Sequence, residues 1–329
     1  MARPAPEGVA RGYPVAQMER QLPPPDGVLA VEGLTKRYNG LTAVDGIAFQ
    51  VSKGETFGIL GPNGAGKTTT LEMIEGLRDP DGGSITLLGL DAVRQRRRVQ
   101  ERFGVQLQSQ ALWPELTVEE TLKLFAALFQ RRVSVQTLLE RFSLTDKRRA
   151  FVRDLSGGQK QRLSIATALV NDPEVVFLDE PTTGLDPQAR HSFWDLIRDM
   201  RGEGKTVIVT THYMEEAEAL CDRVAIMDLG RIIALDTPRR LVRELASEST
   251  VEFGFPETEA RAELAGLAGV REIRHEDGSV LLFTDDASAT LSALIRFADQ
   301  KGQQISSLSV RTATLEDVFI KLTGRSLRD

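Results

Sequence analysis

The stretch GPNGAGKTT at residues 61–69 constrains the fold of this chain more than any other. An apolar run, TFGILG, precedes it and the helical spacing of TTTLEMIEGL follows it, which gives the order strand, loop and helix. Gly61, Gly66, Lys67 and Thr68 satisfy the pattern G-x-x-x-x-G-K-[ST] in that context. Small residues let consecutive N–H groups curl around an anion, so the stretch predicts a phosphate-binding loop after a buried strand.

A second glycine-bearing helix start occurs at residues 155–163, LSGGQKQRL. Ser156, Gly157 and Gly158 stand directly ahead of a helical pattern, where free N–H groups and a hydroxyl also suit an anion. The two stretches are separated by a long intervening segment. We therefore do not expect both of them to reach one ligand within the same chain.

The apolar runs predict an α/β fold with two kinds of sheet. Residues 174–180, EVVFLDE, and residues 205–212, KTVIVTTH, lack alternation, and a helical stretch separates them. Strands of this kind are covered on both faces, which indicates a parallel sheet between helices. Ile47, Phe49 and Val51 instead alternate with small or polar residues, so an antiparallel part is expected near the N-terminus.

Changes in composition predict three domains or segments. Residues 1–27 are proline-rich without an apolar core and indicate a disordered tail, followed by a main domain over 28–238. Within the main domain, residues from about 90 to 170 are mostly helical in pattern, and Thr117 with Glu120 predicts a capping box. Residues 239–329 alternate short strands and helices and indicate a small α+β domain.

Chemistry-bearing side chains follow two of the predicted parallel strands. Asp179 and Glu180 end one strand and His212 closes the next, so all three are expected at the carboxyl edge of the sheet. Asp179 suits a magnesium ligand, Glu180 can polarise an attacking water, and His212 can donate to a γ-phosphate or to that water. An isolated surface Asp-Glu pair or a structural histidine is the plainer alternative, which four preceding apolar residues disfavour for the carboxylates.

Composition excludes several classes of function. The chain has 329 residues and a net charge of -6, which argues against nucleic acid as a main partner. A single cysteine, Cys221, rules out an internal disulfide framework and favours the cytosol. No apolar run approaches the roughly 18 residues needed to cross a bilayer, so we expect no membrane span.

Five motifs together resemble a known family. GPNGAGKTT, LSGGQKQRL, VVFLDEP, GLD at 184–186 and His212 resemble, in that order, the Walker A, signature, Walker B, D-loop and switch elements of an ATP-binding cassette. The resemblance covers about residues 28–238 and implies the P-loop NTPase fold of the ABC type. It also implies ATP as substrate, Mg²⁺ as cofactor and ATP hydrolysis as the activity.

The resemblance implies a set of site residues. Catalytic roles are implied for Glu180, His212, Lys67 and a glutamine that also senses Mg²⁺. The implied magnesium ligands are that glutamine, Thr68 and Asp179. Gln106, Gln108 and Gln110 all fit that glutamine, and the spacing from Lys67 with the following LTVEE favours Gln108. Nucleotide contacts fall to Tyr38, as the adenine platform, and to Gly61, Pro62, Asn63, Gly64, Ala65, Gly66, Lys67, Thr68, Thr69, Ser156, Gly157, Gly158, Gln159 and Asp186.

The resemblance also implies partners. Cassettes of this family pair head to tail, so we expect a homodimer in which the signature of one copy closes on nucleotide held by the other. A separately encoded transmembrane permease would hold the protein on the inner face of the cell membrane, and its docking site is expected near Gln108. Trp113 either belongs to this docking site or packs inside the mostly helical stretch of residues from about 90 to 170, which we call the helical insertion.

The branch of the family is also predicted from the resemblance. The segment THYMEEAEALCDRVAIMDLGRIIALDTP and the ending TLEDVFIKLTG resemble exporter subunits of the drug-resistance type. The alternative is a soluble ABC ATPase of translation or DNA repair, which would typically need two fused cassettes or a long coiled coil. The sequence contains neither.

Overall fold

The computed structural model describes residues 27–107, 112–246, 249–254, 261–276, 279–311 and 313–323. These residues fall into two compact units, the first reaching Pro238 and the second beginning at Arg239. The predicted N-terminal tail lies outside the described residues, apart from Gly27. In the described ranges, no helix combines the length and the apolar character that crossing a membrane requires.

Among the described residues, the first unit contains ten strands and seven α-helices, and an eighth helix begins at its last residue, Pro238. The strands are β1 (Gly27–Tyr38), β2 (Leu41–Ser52), β3 (Thr56–Leu60), β4 (Gly82–Leu87), β5 (Leu90–Asp91), β6 (Phe103–Gln106), β7 (Val175–Asp179), β8 (Thr206–Thr211), β9 (Arg223–Asp228) and β10 (Arg231–Asp236). The helices are α1 (Lys67–Ile74), α2 (Arg96–Gln100), α3 (Val118–Ala126), α4 (Val135–Arg141), α5 (Gly157–Ala168), α6 (Pro187–Gly202), α7 (Met214–Leu220) and α8 (Pro238–Leu241), the last running into the second unit.

The central sheet has six strands in the order β10-β9-β3-β8-β7-β6. Its strands from β9 to β6 pair in parallel, and β10 returns antiparallel to β9. Every residue of β3, β7 and β8 is buried, which is why these strands read as continuous apolar runs instead of alternating. The predicted parallel sheet is therefore confirmed.

The predicted antiparallel part is also confirmed, as a second sheet in the order β2-β1-β4-β5. Ile47, Phe49 and Val51 of β2 are buried, while the residues between them are more exposed. The Phe49 ring stacks on Phe57 of β3 at 5.2 Å, so the inward face of this sheet packs on the central one. One apolar core thus joins the two sheets.

The stretch from about 90 to 170 departs in part from the helical expectation. Residues Phe103–Gln106 form β6, the edge strand of the parallel sheet, and Phe103 packs edge-on against Phe177 of β7. A four-residue apolar strand is too short to show a period, so the prediction of helix was wrong there. The helices α3 to α5 follow it, and the predicted capping box of Thr117 and Glu120 opens α3.

The second unit is α+β, as predicted. Its strands are β11 (Ser249–Gly254), β12 (Val270–Glu276), β13 (Ser279–Thr284) and β14 (Ser306–Arg311), in the antiparallel order β12-β13-β11-β14. Its helices beyond α8 are α9 (Arg261–Ala265), α10 (Ala287–Lys301) and α11 (Leu315–Thr323). Side chains from the sheet, α9 and α10 form a separate core, which includes Val251, Phe253, Leu264, Leu282 and Leu294.

Candidate active site

The register of the central sheet brings the predicted site residues to one edge. Leu60 of β3 pairs with Thr211 of β8, and Asp179 of β7 pairs with Thr210 of β8. The residues that follow these three strands, Gly61, Glu180 and His212, therefore leave the sheet side by side. The carboxyl edge of a parallel sheet is where ligands of α/β proteins bind.

The loop of residues 61–69 adopts a backbone conformation that requires glycine at two positions. Gly66 has a φ of 101° and stands at the N-cap of α1, where no side chain caps the helix. A Cβ at Gly66 would clash with the carbonyl oxygen of Ala43, and one at Gly61 with that of Met227. The helix thus begins with uncapped backbone N–H groups, and their positive partial charge suits a phosphate.

Lys67 lies folded over this loop. Only 4% of the residue is exposed, and its Nζ donates to the carbonyl oxygens of Gly61 at 2.8 Å and Pro62 at 3.2 Å. The same Nζ lies 3.2 Å from Oε1 of Glu180. The ammonium group therefore joins the loop to the carboxylate that follows β7.

Glu180 adopts a backbone conformation that few side chains tolerate, with a φ of 46°. Its N–H donates to Oγ1 of Thr210 at 2.9 Å, and its Oε2 lies 3.3 Å from Nδ1 of His212 and accepts from Oγ1 of Thr183 at 3.3 Å. Burial raises the pKa of this carboxyl, but Lys67 and His212 outweigh burial and hold the pKa below its ordinary value. Glu180 is therefore ionised at neutral pH and able to accept a proton.

Asp179, the last residue of β7 and the one before Glu180, lies against Thr68 of α1. The Thr68 hydroxyl donates to Oδ1 of Asp179 at 3.3 Å, and the Thr210 hydroxyl donates to the same oxygen. Burial raises the pKa of the Asp179 carboxyl, while these two hydrogen bonds lower it. Hydroxyl and carboxylate oxygens are the ligands that Mg²⁺ prefers, so this pair fits the ion that the sequence predicts.

The second helix start, at Ser156, is capped within its own chain. Ser156 Oγ accepts from the N–H of Gln159 at 3.3 Å, and the Gln159 side chain accepts from the N–H of Ser156 at 3.0 Å. Further along α5, the Gln161 side chain donates to the carbonyl oxygen of Pro181, next to Glu180. In the described part of the chain, no hydrogen bond joins residues 156–159 to the loop of residues 61–69.

Comparisons with known proteins agree with this geometry. A family model of ABC transporters matches residues 44–183, and one of the DrrA1-3-like ATP-binding protein C-terminal domain matches residues 239–323. The Nod factor export ATP-binding protein I of Burkholderia pseudomallei is 45% identical over 300 residues, which cover 89% of this chain and 96% of the relative. Its counterpart in Paraburkholderia xenovorans is 43% identical over 311 residues, which cover 93% of this chain and 100% of the relative. The chain belongs to the ATP-binding subunits of ABC transporters.

Solved structures place this ABC subunit in the same fold. The dimeric post-hydrolysis state of the ATP-binding cassette MJ0796 bound to ADP and Pi superposes with a TM-score of 0.59 at 25% identity, covering 64% of this chain and 98% of that one. The predicted cassette fold is thus confirmed. Membership of the family confirms ATP binding and ATP hydrolysis as the activity.

Three other predicted site residues of the ABC subunit, Tyr38, Asp186 and Gln108, are not part of the cluster described above. Tyr38 ends β1, and its ring lies 5.6 Å from Nζ of Lys36 and 5.7 Å from the guanidinium carbon of Arg78. Asp186 is exposed and caps α6 by accepting from the N–H of Ala189 at 2.8 Å. Gln108 lies outside the described residues.

Thr210, which contacts both carboxylate-bearing residues, is not among the residues that the sequence predicts for the site. Its hydroxyl bonds Asp179 and accepts from the N–H of Glu180, so it fixes the backbone where β7 ends. The available signal was the pair Thr210 and Thr211, polar residues that close an otherwise apolar strand directly before His212. Which of the two faces the neighbouring carboxylate depends on strand register, which the sequence alone does not define.

Proposed function

We propose that this ABC subunit hydrolyses ATP with Glu180 as the general base and energises export through a separate permease. The observation that carries the catalytic part is the Glu180 carboxylate, which is held ionised between Lys67 and His212 at the edge of the sheet. A base must be unprotonated and within reach of the attacking water. The strained backbone of Glu180 and its bond to Thr210 fix the direction of that carboxylate.

Arrival of a triphosphate would change the partners of Lys67. Its ammonium group lies against two carbonyl oxygens and Glu180, and phosphate oxygens carry more negative charge than any of these groups. Transfer of Lys67 to the β- and γ-phosphates would leave Glu180 free to accept the proton of the attacking water. His212, on the other side of Glu180, would orient that water or donate to the γ-phosphate.

Magnesium fits beside these groups in the proposed site. Thr68 and Asp179 would hold the ion, and Gln108 would join them as the family resemblance implies. Bound there, Mg²⁺ would neutralise charge on the triphosphate. Tyr38 would carry the adenine ring on the aromatic face of its side chain.

Replacement of the proposed base tests the catalytic part. Glu180→Gln keeps the size of the side chain but removes the charge that accepts the proton, so turnover should fall about 1,000-fold while ATP still binds. The matched control is Glu174→Gln, which lies just before the opposite end of β7 and pairs with Arg102 at the surface. A parent rate of phosphate release from Glu180→Gln would refute the assignment.

A head-to-tail homodimer would complete the site. The N-terminus of α5 carries Ser156, Gly157 and Gly158, but it does not bond the phosphate loop of its own chain. Two copies related by a twofold axis would each offer this helix start to nucleotide held by the other. Support comes from the dimeric state of MJ0796 among the similar structures.

The permease would dock beside β6 and the N-terminal end of the helical insertion. A cavity of about 370 Å³ lies there, and its lining includes Gln106, Leu107, Pro114, Val152, Arg153 and Lys160. Trp113 is 53% exposed, with its ring 6.5 Å from that of Phe125, which favours docking over burial in the insertion. Leu107, Leu124, Leu128 and Phe151 are exposed as well.

Photo-crosslinking from position 113 tests the docking surface. In membranes that contain both subunits, a probe at Trp113 should capture the permease, and a probe at Leu229, which is 74% exposed, serves as the control position. Capture of only the same chain from position 113, or equal capture from both positions, would contradict docking there.

Export as the direction of transport is supported by the relatives, which are named as export ATP-binding proteins, and by the DrrA-like match at residues 239–323. The protein would lie in the cytoplasm, on the inner face of the membrane, with residues 28–238 as the cassette, a tail at 1–27 and an accessory domain at 239–329. Nucleic acid has no place in this function. The alignment covers 96% of the Burkholderia relative, which argues against the soluble alternative with two fused cassettes.

A further inference from the structure

We propose that Arg190 and Tyr213 are positioning residues that hold the His212 imidazole against Glu180 and connect it to the D-loop. Their side chains form a continuous stack, Arg190 on Tyr213 and Tyr213 on His212. We call these three residues the Arg190 relay. The inference rests on the catalytic role proposed above for His212.

The stack is closer than the other cation and aromatic contacts of the site. The guanidinium carbon of Arg190 lies 4.4 Å from the centroid of the Tyr213 ring, and the centroids of Tyr213 and His212 are 4.1 Å apart at an interplanar angle of 41°. An arginine this close to an aromatic face is attracted by its quadrupole. The buried Nε of Arg190 has no hydrogen-bond partner among the described residues, so the Tyr213 ring is the contact that the structure gives for this part of the guanidinium.

His212 needs such support because its own surroundings leave its ring partly free. Its side chain is 27% exposed, and its Nδ1 lies 3.3 Å from Oε2 of Glu180. Two rotatable bonds separate the imidazole from the backbone, so loss of the Tyr213 ring would let it turn away from Glu180. The backbone of Tyr213 is fixed, since its N–H donates to the Thr211 hydroxyl at 3.0 Å.

Arg190 lies in the first turn of α6, directly after the D-loop. Its N–H donates to the carbonyl oxygen of Asp186 at 2.9 Å, and the Asp186 side chain caps the same turn. Gly184 and Asp186 are exposed. A second copy that pressed on this turn would therefore shift Arg190, and the stack would carry the shift to His212.

Glu216 connects the two segments of chain that flank the relay. Its side chain is fully buried on α7, and its Oε2 accepts from the Thr182 hydroxyl at 3.2 Å. Burial raises the pKa of this carboxyl, and the nearby charge of Arg190 offsets only part of that rise. The acid thus ties the segment after β7 to the helix that follows His212.

Variants of the full-length chain separate the relay from a general packing role. Arg190→Gln and Tyr213→Leu should each lower kcat about tenfold while the affinity for ATP stays within about twofold of the parent. Tyr213→Phe keeps the ring and should retain the parent kcat. Arg198→Gln, on the same helix and paired with Asp195 at the surface, is the control and should also retain it.

A double variant tests whether Arg190 acts through His212. If it does, Arg190→Gln should cost nothing further in a His212→Ala background, whereas independent effects would multiply. The imidazole resonances of His212 should also shift in Arg190→Gln but not in Arg198→Gln. A parent kcat in Arg190→Gln, or multiplied losses in the double variant, would overturn the relay.

The same experiment separates failure of the relay from failure of the proposed catalytic site. Multiplied losses together with a slow His212→Ala would leave the role of His212 intact and remove only the relay. A parent rate in His212→Ala would contradict both the role of His212 and the relay built on it.

Discussion

The two glycine-bearing helix starts of this ABC subunit, at Gly66 and at Ser156, look alike in sequence but differ in how their backbone N–H groups are used. Helix α1 begins at a glycine with a left-handed backbone and has no capping side chain. Helix α5 begins with a complete capping box, in which Ser156 and Gln159 satisfy each other's N–H groups. The first is arranged for an anion, and the second is satisfied within its own chain.

The difference supports different roles for the two stretches, with the start of α1 as the proposed primary phosphate site. Lys67 and the carboxylates at the end of β7 surround the start of α1, whereas the hydrogen bonds of Ser156 to other described residues stay within its own helix turn. A capped helix start still presents its dipole and its glycine N–H groups outward. In the proposed homodimer, the signature would be the contact that a second copy supplies.

The largest effect is expected from Ser156→Arg. An exposed arginine at the start of α5 fits the single chain but would block approach of a second copy, so turnover should fall at least 1,000-fold while ATP binding to the monomer remains. The control is Ser134→Arg, because Ser134 is also an exposed N-cap, that of α4. Loss of one N-cap costs only about 1 kcal/mol. Equal turnover in the two variants would remove the distinction between the helix starts.

A smaller effect is expected from Lys67→Ala, and it should appear in the affinity for ATP as well as in turnover. Loss of the ammonium group should weaken ATP binding about 100-fold, in line with charged hydrogen bonds of up to about 3 kcal/mol. Lys205→Ala is the control, since Lys205 is similarly buried and bonds Asp172 and Pro173 away from the loop. Unchanged affinity in a calorimetric titration of Lys67→Ala would show that α1 is not the primary phosphate site.

The smallest effect is expected at Glu75, at the C-terminal end of α1, and concerns the stability of the protein. Glu75 caps the C-terminus of α1, is buried, and has no hydrogen-bond partner for either oxygen among the described residues. Burial, with help from the Asp179 and Glu72 carboxylates, raises the pKa of Glu75 to about 8. A carboxyl with a raised folded-state pKa favours the fold below its ordinary pKa of 4.5, and that contribution is lost as the pH rises to about 8.

Glu75→Gln should therefore raise the melting temperature by about 5 °C at pH 8 and leave it unchanged near pH 4. Glu119→Gln is the control of opposite sign, because hydrogen bonds from Arg148 and Lys123 lower the pKa of Glu119 to about 2. Its removal should slightly lower the melting temperature at pH 8. A Glu75→Gln variant with the same gain at both pH values would contradict the buried, protonated carboxyl.

The sequence predicts the fold and the edge-of-sheet site well because both depend on short, local patterns. The run before Asp179 and Glu180 is apolar throughout, and an uninterrupted run of that length indicates a strand covered on both faces. Strand β6 was not predictable in the same way, because four residues are too few to show a periodic pattern. The role of Thr210 was not predictable because it depends on the register between β7 and β8. The capping box at Ser156 has a local sequence pattern, since Ser156 and Gln159 stand three residues apart, but the same stretch also fits an anion site.

Sedimentation of the Glu180→Gln variant tests most directly whether two copies enclose each nucleotide. With ATP and Mg²⁺ the purified variant should sediment as a dimer, and with ADP, or with Ser156→Arg added, it should sediment as a monomer. A variant that binds ATP but sediments as one copy in every condition would contradict the account.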